Sequence, residues 1–172
     1  MMEETSRRGL RWLVRTALLL ALTIAIQMLG LPQFLTGPLV NAFLLLAALF
    51  NGMWSGVIIG LFTPGIAFAR GILAPPLGPM IPFIMAGNAI LVIVFSLVGK
   101  RGHLGREIGG VVLGSFLKYL LLSQAVTWVV EVPPPVAKAM QTPQLFTALA
   151  GGAIALIVYQ VIPKREIQRI EQ

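Results

Sequence analysis

The stretch "GSFLKYLLLSQ", residues 114 to 124, holds a lysine among side chains that are almost all apolar. A cation in such a setting can bind an anion, relay a proton, or bond to carbonyls of neighbouring helices. Nothing nearby along the chain neutralises Lys118. Glu131 lies 13 residues further on, about 19 Å along a helix, and Glu107 falls at the start of the same segment. Its partner must be a carbonyl, a water or an anionic ligand. Gln27, Asn41, Asn88, Gln124 and Gln144 also interrupt apolar runs, and Arg70 ends one. Amides donate and accept hydrogen bonds, a chemistry suited to orienting a small polar molecule.

Groups for bond-breaking chemistry are missing. The chain has no Cys, so thiolate ligands, disulfides and a cysteine nucleophile are excluded. The one His, His103, stands in "KRGHLGR" without a metal-ligand companion, and no glycine-rich loop has the P-loop pattern that cradles ATP. No metal, cofactor or catalytic residue is expected on this chain. An ion-coupled carrier would be expected to carry acidic or His residues within its spans and a repeated half, and neither is visible.

The elements that position these residues are membrane helices. Of 172 residues, 57% are hydrophobic and 11% charged, and the mean hydropathy is +0.88. Thr16 to Ala69 carries no ionisable side chain over 54 residues, and Gly71 to Gly99 none over 29. One helical span needs about 20. Proline, glycine and charge cut the sequence into six expected spans at 12–29, 38–50, 54–69, 80–98, 108–130 and 143–162, an all-α membrane bundle forming a single domain over 1–172. The connections "GLPQFLTGP" (30 to 38) and "RGILAPPLGPMIP" (70 to 82) read as ordered loops. The first apolar run flows into others without a cleavage site, so it is expected to stay as a span.

Six spans put both ends on one side. Arg7, Arg8, Arg11, Arg15, Lys100, Arg101, Arg106, Lys164, Arg165 and Arg169 share that side, against Arg70 and Lys138 on the other. This bias predicts cytoplasmic termini. The net charge of +7 then reflects contact with anionic lipid rather than nucleic acid, for no basic patch is interleaved with exposed aromatics.

With that orientation, Gln27, Asn41, Arg70, Asn88, Gln124 and Gln144 all fall in the outer half, Lys118 sits at mid-depth, and the inner half is almost bare of polar groups. The distribution predicts a cavity open to the outside with Lys118 as its floor. The competing readings are interhelical hydrogen bonds for the amides, an interfacial anchor for Arg70, and backbone bonding or a proton relay for Lys118. Gly114, Ser115, Leu122 and Ala125 share the helical face of Lys118, and the small ones are expected to leave room for a guest. Trp128 and Tyr119 are the only large polar aromatics near the expected pocket. Ala17, Ala21 and Ala25 form a small-residue stripe on the first span, suited to close approach of another helix; Ala148, Gly151, Gly152 and Ala155 form a second, expected to seal the bundle.

The chain resembles the substrate-binding S components of energy-coupling factor (ECF) vitamin transporters. The resemblance rests on six spans with cytoplasmic ends, the small size, the Ala17, Ala21, Ala25 stripe, and the stretches "LPQFLTGPLVNA" and "TPQLFTALAGG". It implies a subunit of the prokaryotic cytoplasmic membrane that captures a micronutrient and joins a membrane T component and two cytoplasmic ATPases, which supply the energy. It implies the alanine stripe as the docking surface, Leu31 to Pro38 as a lid, and release by toppling of the subunit in the membrane. No acidic and aromatic cluster suits a cationic ligand, so the expected substrate is a small neutral or anionic metabolite. The alternatives are a six-span membrane scaffold or assembly protein that needs no pocket, and a membrane-bound enzyme, which the lack of His, Asp or Glu at depth disfavours.

Overall fold

The computed structural model describes residues 2–99 and 103–162. Lys100, Arg101, Lys164, Arg165 and Arg169, which carry half of the charge bias, lie outside the described residues. Those described form helices and no strands, with six long helices: α1 (Met2–Met28), α2 (Gln33–Asn51), α3 (Met53–Ala69), α4 (Ile81–Val98), α5 (Leu104–Gln124) and, after a short α6 (Pro134–Ala139), α7 (Thr142–Val161). By length and composition five helical stretches can cross a bilayer, and Met53–Ala69 is a shorter apolar helix of the same character.

Two expected loops are partly helical. Residues 33–38 form the first turns of α2, because Pro32 at the helix start has no N–H to lose and its φ of −54° is already suited to helix entry. Gly52, with φ +93°, turns the chain between α2 and α3 in one residue. In the 70–82 connection, Pro75–Met80 forms a 3₁₀ turn that runs directly into α4. At the other end of α5, Ala125–Val129 widens into a π turn.

α2 packs along α7, α4 along α5, and α3 lies between α2 and α4, while α1 packs mainly on α2 and α3. The close approaches use glycine. A Cβ on Gly151 would come within 2.6 Å of Pro38 O and of Asn41 Cβ, and one on Gly114 within 2.9 Å of Leu91 O. The space beside Gly114 is therefore filled by the α4 backbone, not left for a guest. Ala148, Gly151, Gly152 and Ala155 are all buried against α2 and α5. The apolar core, Leu44, Leu45, Ile59, Leu91 and Val92 among it, fills the half of the bundle away from Gln27 and Gln144.

At that far end, polar groups gather where the sequence predicts almost none. Trp12 Nε1 donates to Asn51 O (2.9 Å), and Asn51 Nδ2 faces Trp12 O, Thr16 Oγ1 and Ser55 Oγ at 2.9 to 3.2 Å. Thr16 Oγ1 also lies 3.0 Å from Ser55 Oγ. This knot ties α1 to the α2–α3 turn. Its members are small hydroxyls and a turn asparagine, each unremarkable along the chain and significant only when three helices bring them together.

Candidate functional site

Asn41 on α2, Asn88 on α4 and Lys118 on α5 meet at one point. Lys118 Nζ donates to Asn41 Oδ1 at 2.6 Å and to Asn88 Oδ1 at 2.8 Å, and the side chain is only 3% exposed. The carbonyl partners expected for it are thus two side-chain amides, on residues 77 and 30 positions away.

The helices dictate which way these amides face. In α3, Pro64 has no N–H to give to Gly60 O, so that carbonyl loses its helical donor inside an apolar bundle. Asn88 Nδ2 supplies the missing bond, donating to Gly60 O at 3.1 Å. Asn41 Nδ2 likewise donates to Gly37 O at 3.0 Å. Because a backbone carbonyl can only accept, each amide must turn its nitrogen to the backbone and its oxygen to the lysine. Space for the trio comes from missing side chains opposite: a Cβ on Gly60 would lie 2.9 Å from Asn88 Cβ, and one on Gly87 3.2 Å from Lys118 Cγ.

The trio borders a cavity of about 240 Å³ that opens at the end of the bundle bearing Gln27 and Gln144. Its wall is apolar where Pro64, Leu73, Leu77, Ile84 and Met140 line it, and polar where Thr36, Thr63 and the glutamines do. Gln144 Nε2 donates to Ala139 O (3.2 Å), pinning the end of α6 beside the opening. Gln27 reaches in from α1, and its Oε1 is buried with no hydrogen-bond partner.

Five of the seven residues expected at the site therefore border one cavity: Gln27, Asn41, Asn88, Lys118 and Gln144. Arg70 and Gln124 do not. Arg70 is an exposed C-terminal cap of α3, and Gln124 is exposed at the end of α5, on a face turned from the bundle. For Gln124 the reason is helical phase: it stands six residues beyond Lys118, about a third of a turn away from it around the helix. Trp128, 80% exposed, and Tyr119, ring-paired with Phe116 at 6.3 Å, are also outside the lining. Leu31 to Pro38 is not a free loop, though Gln33, Thr36 and Gly37 within it line the cavity. Pro64, Leu77, Ala139 and Met140 also line the cavity and were not legible as such in the sequence. For Pro64 a signal existed, since a proline inside a span requires a donor for the carbonyl four residues back.

Ala17, Ala21 and Ala25 are all exposed, on the face of α1 opposite the buried Thr16, Thr23 and Gln27. The stripe does not pack into its own bundle. Around it Leu13, Leu18 and Leu22 are also more than half exposed, as expected for a face turned to lipid or to a membrane partner.

Comparison with curated proteins and with solved structures finds no match to the chain. One family model spans residues 11–163, nearly the whole sequence and all six long helices, and its description is "ECF transporter, substrate-specific component". The chain belongs to that family, and is a multi-pass membrane protein serving as the substrate-binding subunit of an ECF transporter.

Proposed function

We propose that the whole chain acts as one membrane unit of the cytoplasmic membrane, capturing a small neutral or anionic micronutrient in the cavity above Lys118. The observation that carries this is the cavity itself: a polar trio of fixed orientation under an apolar wall, with an unbonded buried glutamine beside it. A scaffold protein needs no such cavity. Arg7, Arg8, Arg11, Arg15 and Arg106 lie at the knot end and Arg70 and Lys138 at the cavity end, which supports termini inside and the cavity facing out.

The captured molecule is passed on through a T component and two cytoplasmic ATPases, which hydrolyse the ATP. The exposed Ala17, Ala21, Ala25 stripe supports docking of the T component on α1. Two experiments test this reading. Mass spectrometry of the protein purified in detergent should find a bound small molecule, and a vitamin library should contain a compound that raises its thermal midpoint. Ala21→Trp should block association with a T component and leave ligand binding intact; loss of both functions contradicts the docking assignment.

A further inference from the structure

The cavity restricts the ligand more narrowly than "neutral or anionic". We propose that it takes a small monocarboxylate with an apolar body and a hydrogen-bonding head at the far end: the carboxylate on Lys118, the body along Pro64, Leu77 and Ile84, the head at Gln27. This rests on the capture reading above.

Three observations converge. First, the floor has one polarity. Both asparagine nitrogens are held by backbone carbonyls and both oxygens accept from Nζ. Of the three N–H groups of a lysine ammonium, two are thereby engaged and one remains, so the strongest free group there is a donor. Two neutral amides do not cancel a cation, and no Asp or Glu lines the cavity among the described residues. A carboxylate supplies the missing charge, whereas a cationic ligand would sit beside a like charge. Second, Lys118 is the only cation among those lining residues, and the rest of the wall mixes apolar side chains with neutral hydroxyls and amides. A second carboxylate would be buried there without an opposite charge, so dicarboxylates are disfavoured. Third, Gln27 is 9% exposed and its Oε1 has no partner. An amide that rotates about its last bond can meet either a donor or an acceptor, and a ligand head of that kind satisfies it. The volume of about 240 Å³ lies near the lower end of small-molecule pockets, which fits a small ligand.

The test uses the full chain in detergent and a matched probe set: hexanoate, hexanamide, hexylamine, adipate and 6-acetamidohexanoate, with affinities read by calorimetry or thermal shift. Hexanoate should bind at least tenfold more tightly than hexanamide and hexylamine, and adipate should bind no better than hexanoate. 6-Acetamidohexanoate should bind more tightly than hexanoate, a gain that Gln27→Leu removes. Lys118→Met should erase the preference of acid over amide, and Lys118→Gln serves where that variant does not fold. Equal binding of hexanamide or hexylamine, an unchanged preference in both lysine variants, or a co-purified molecule lacking a carboxylate overturns the proposal and leaves the capture reading standing. If no probe binds and nothing co-purifies, both fall.

Discussion

The two polar clusters of the bundle are built from similar side chains and do opposite things. At the knot end, Trp12, Thr16, Asn51 and Ser55 turn their hydrogen bonds on one another and on backbone, across three helices, and none of the four lines the cavity of the other end. At the cavity end, Asn41, Asn88 and Lys118 are tied to each other but border open space, and Gln27 is left with a buried oxygen unbonded. A closed network adds to stability alone. An open one holds groups in a fixed direction for something that is not part of the chain. The comparison separates polar residues that close on one another from polar residues that border open space, in a way that residue type cannot.

The sharpest ways to break that contrast act on packing. Gly151→Val should be the most damaging single change: even its Cβ would lie 2.6 Å from Pro38 O and Asn41 Cβ, so α2 and α7 must part, at a cost of about 3 kcal/mol or loss of folded protein in size-exclusion runs. At the knot, Asn51→Leu removes the donor to Trp12, Thr16 and Ser55 and should lower stability by about 2 kcal/mol in a detergent unfolding series, with ligand affinity unchanged. Lys118→Met should do the reverse, weakening an anionic ligand by more than about 1.4 kcal/mol, a factor of ten, while the thermal midpoint of the empty protein moves little. Equal effects of Asn51→Leu and Lys118→Met on stability and affinity would erase the distinction between the clusters.

Smaller effects sharpen it. Asn88→Leu strands Gly60 O, whose helical donor Pro64 cannot supply; Pro64→Ala restores that donor. The cost of Asn88→Leu should therefore fall by about 1 kcal/mol in the Pro64→Ala background, measured as a double-mutant cycle. Smallest of all, Gly109→Ala on α5, where a Cβ meets nothing within 4 Å, should stabilise by a few tenths of a kcal/mol through helix propensity alone.

Much of this was legible along the chain. Six helical segments follow from uncharged runs bounded by charge and proline, and Lys118 stood out because a lone cation in an apolar helix always demands a partner. Gln27, Asn41, Asn88 and Gln144 were visible as polar residues at one depth. Depth is read from position along a helix, but the direction a side chain faces depends on how that helix is rotated against its neighbours. That is why Arg70 and Gln124, at the same depth, lie outside the cavity. It is also why Thr16 and Ser55, ordinary hydroxyls in sequence, turned out to knot three helices together.

By itself the sequence determined that this protein is an all-helical membrane bundle with its charge concentrated toward one end, because uncharged runs this long cross hydrocarbon as helices, whose backbones are satisfied internally, and a charge within it is costly without partners. It determined too that Lys118 needs carbonyl or anionic company. Only the tertiary structure decided which carbonyls, since Asn41 and Asn88 come from helices 77 and 30 residues away. It also decided which way they point, since Pro64 leaves a carbonyl free that claims the nitrogen of Asn88 and turns its oxygen to the lysine.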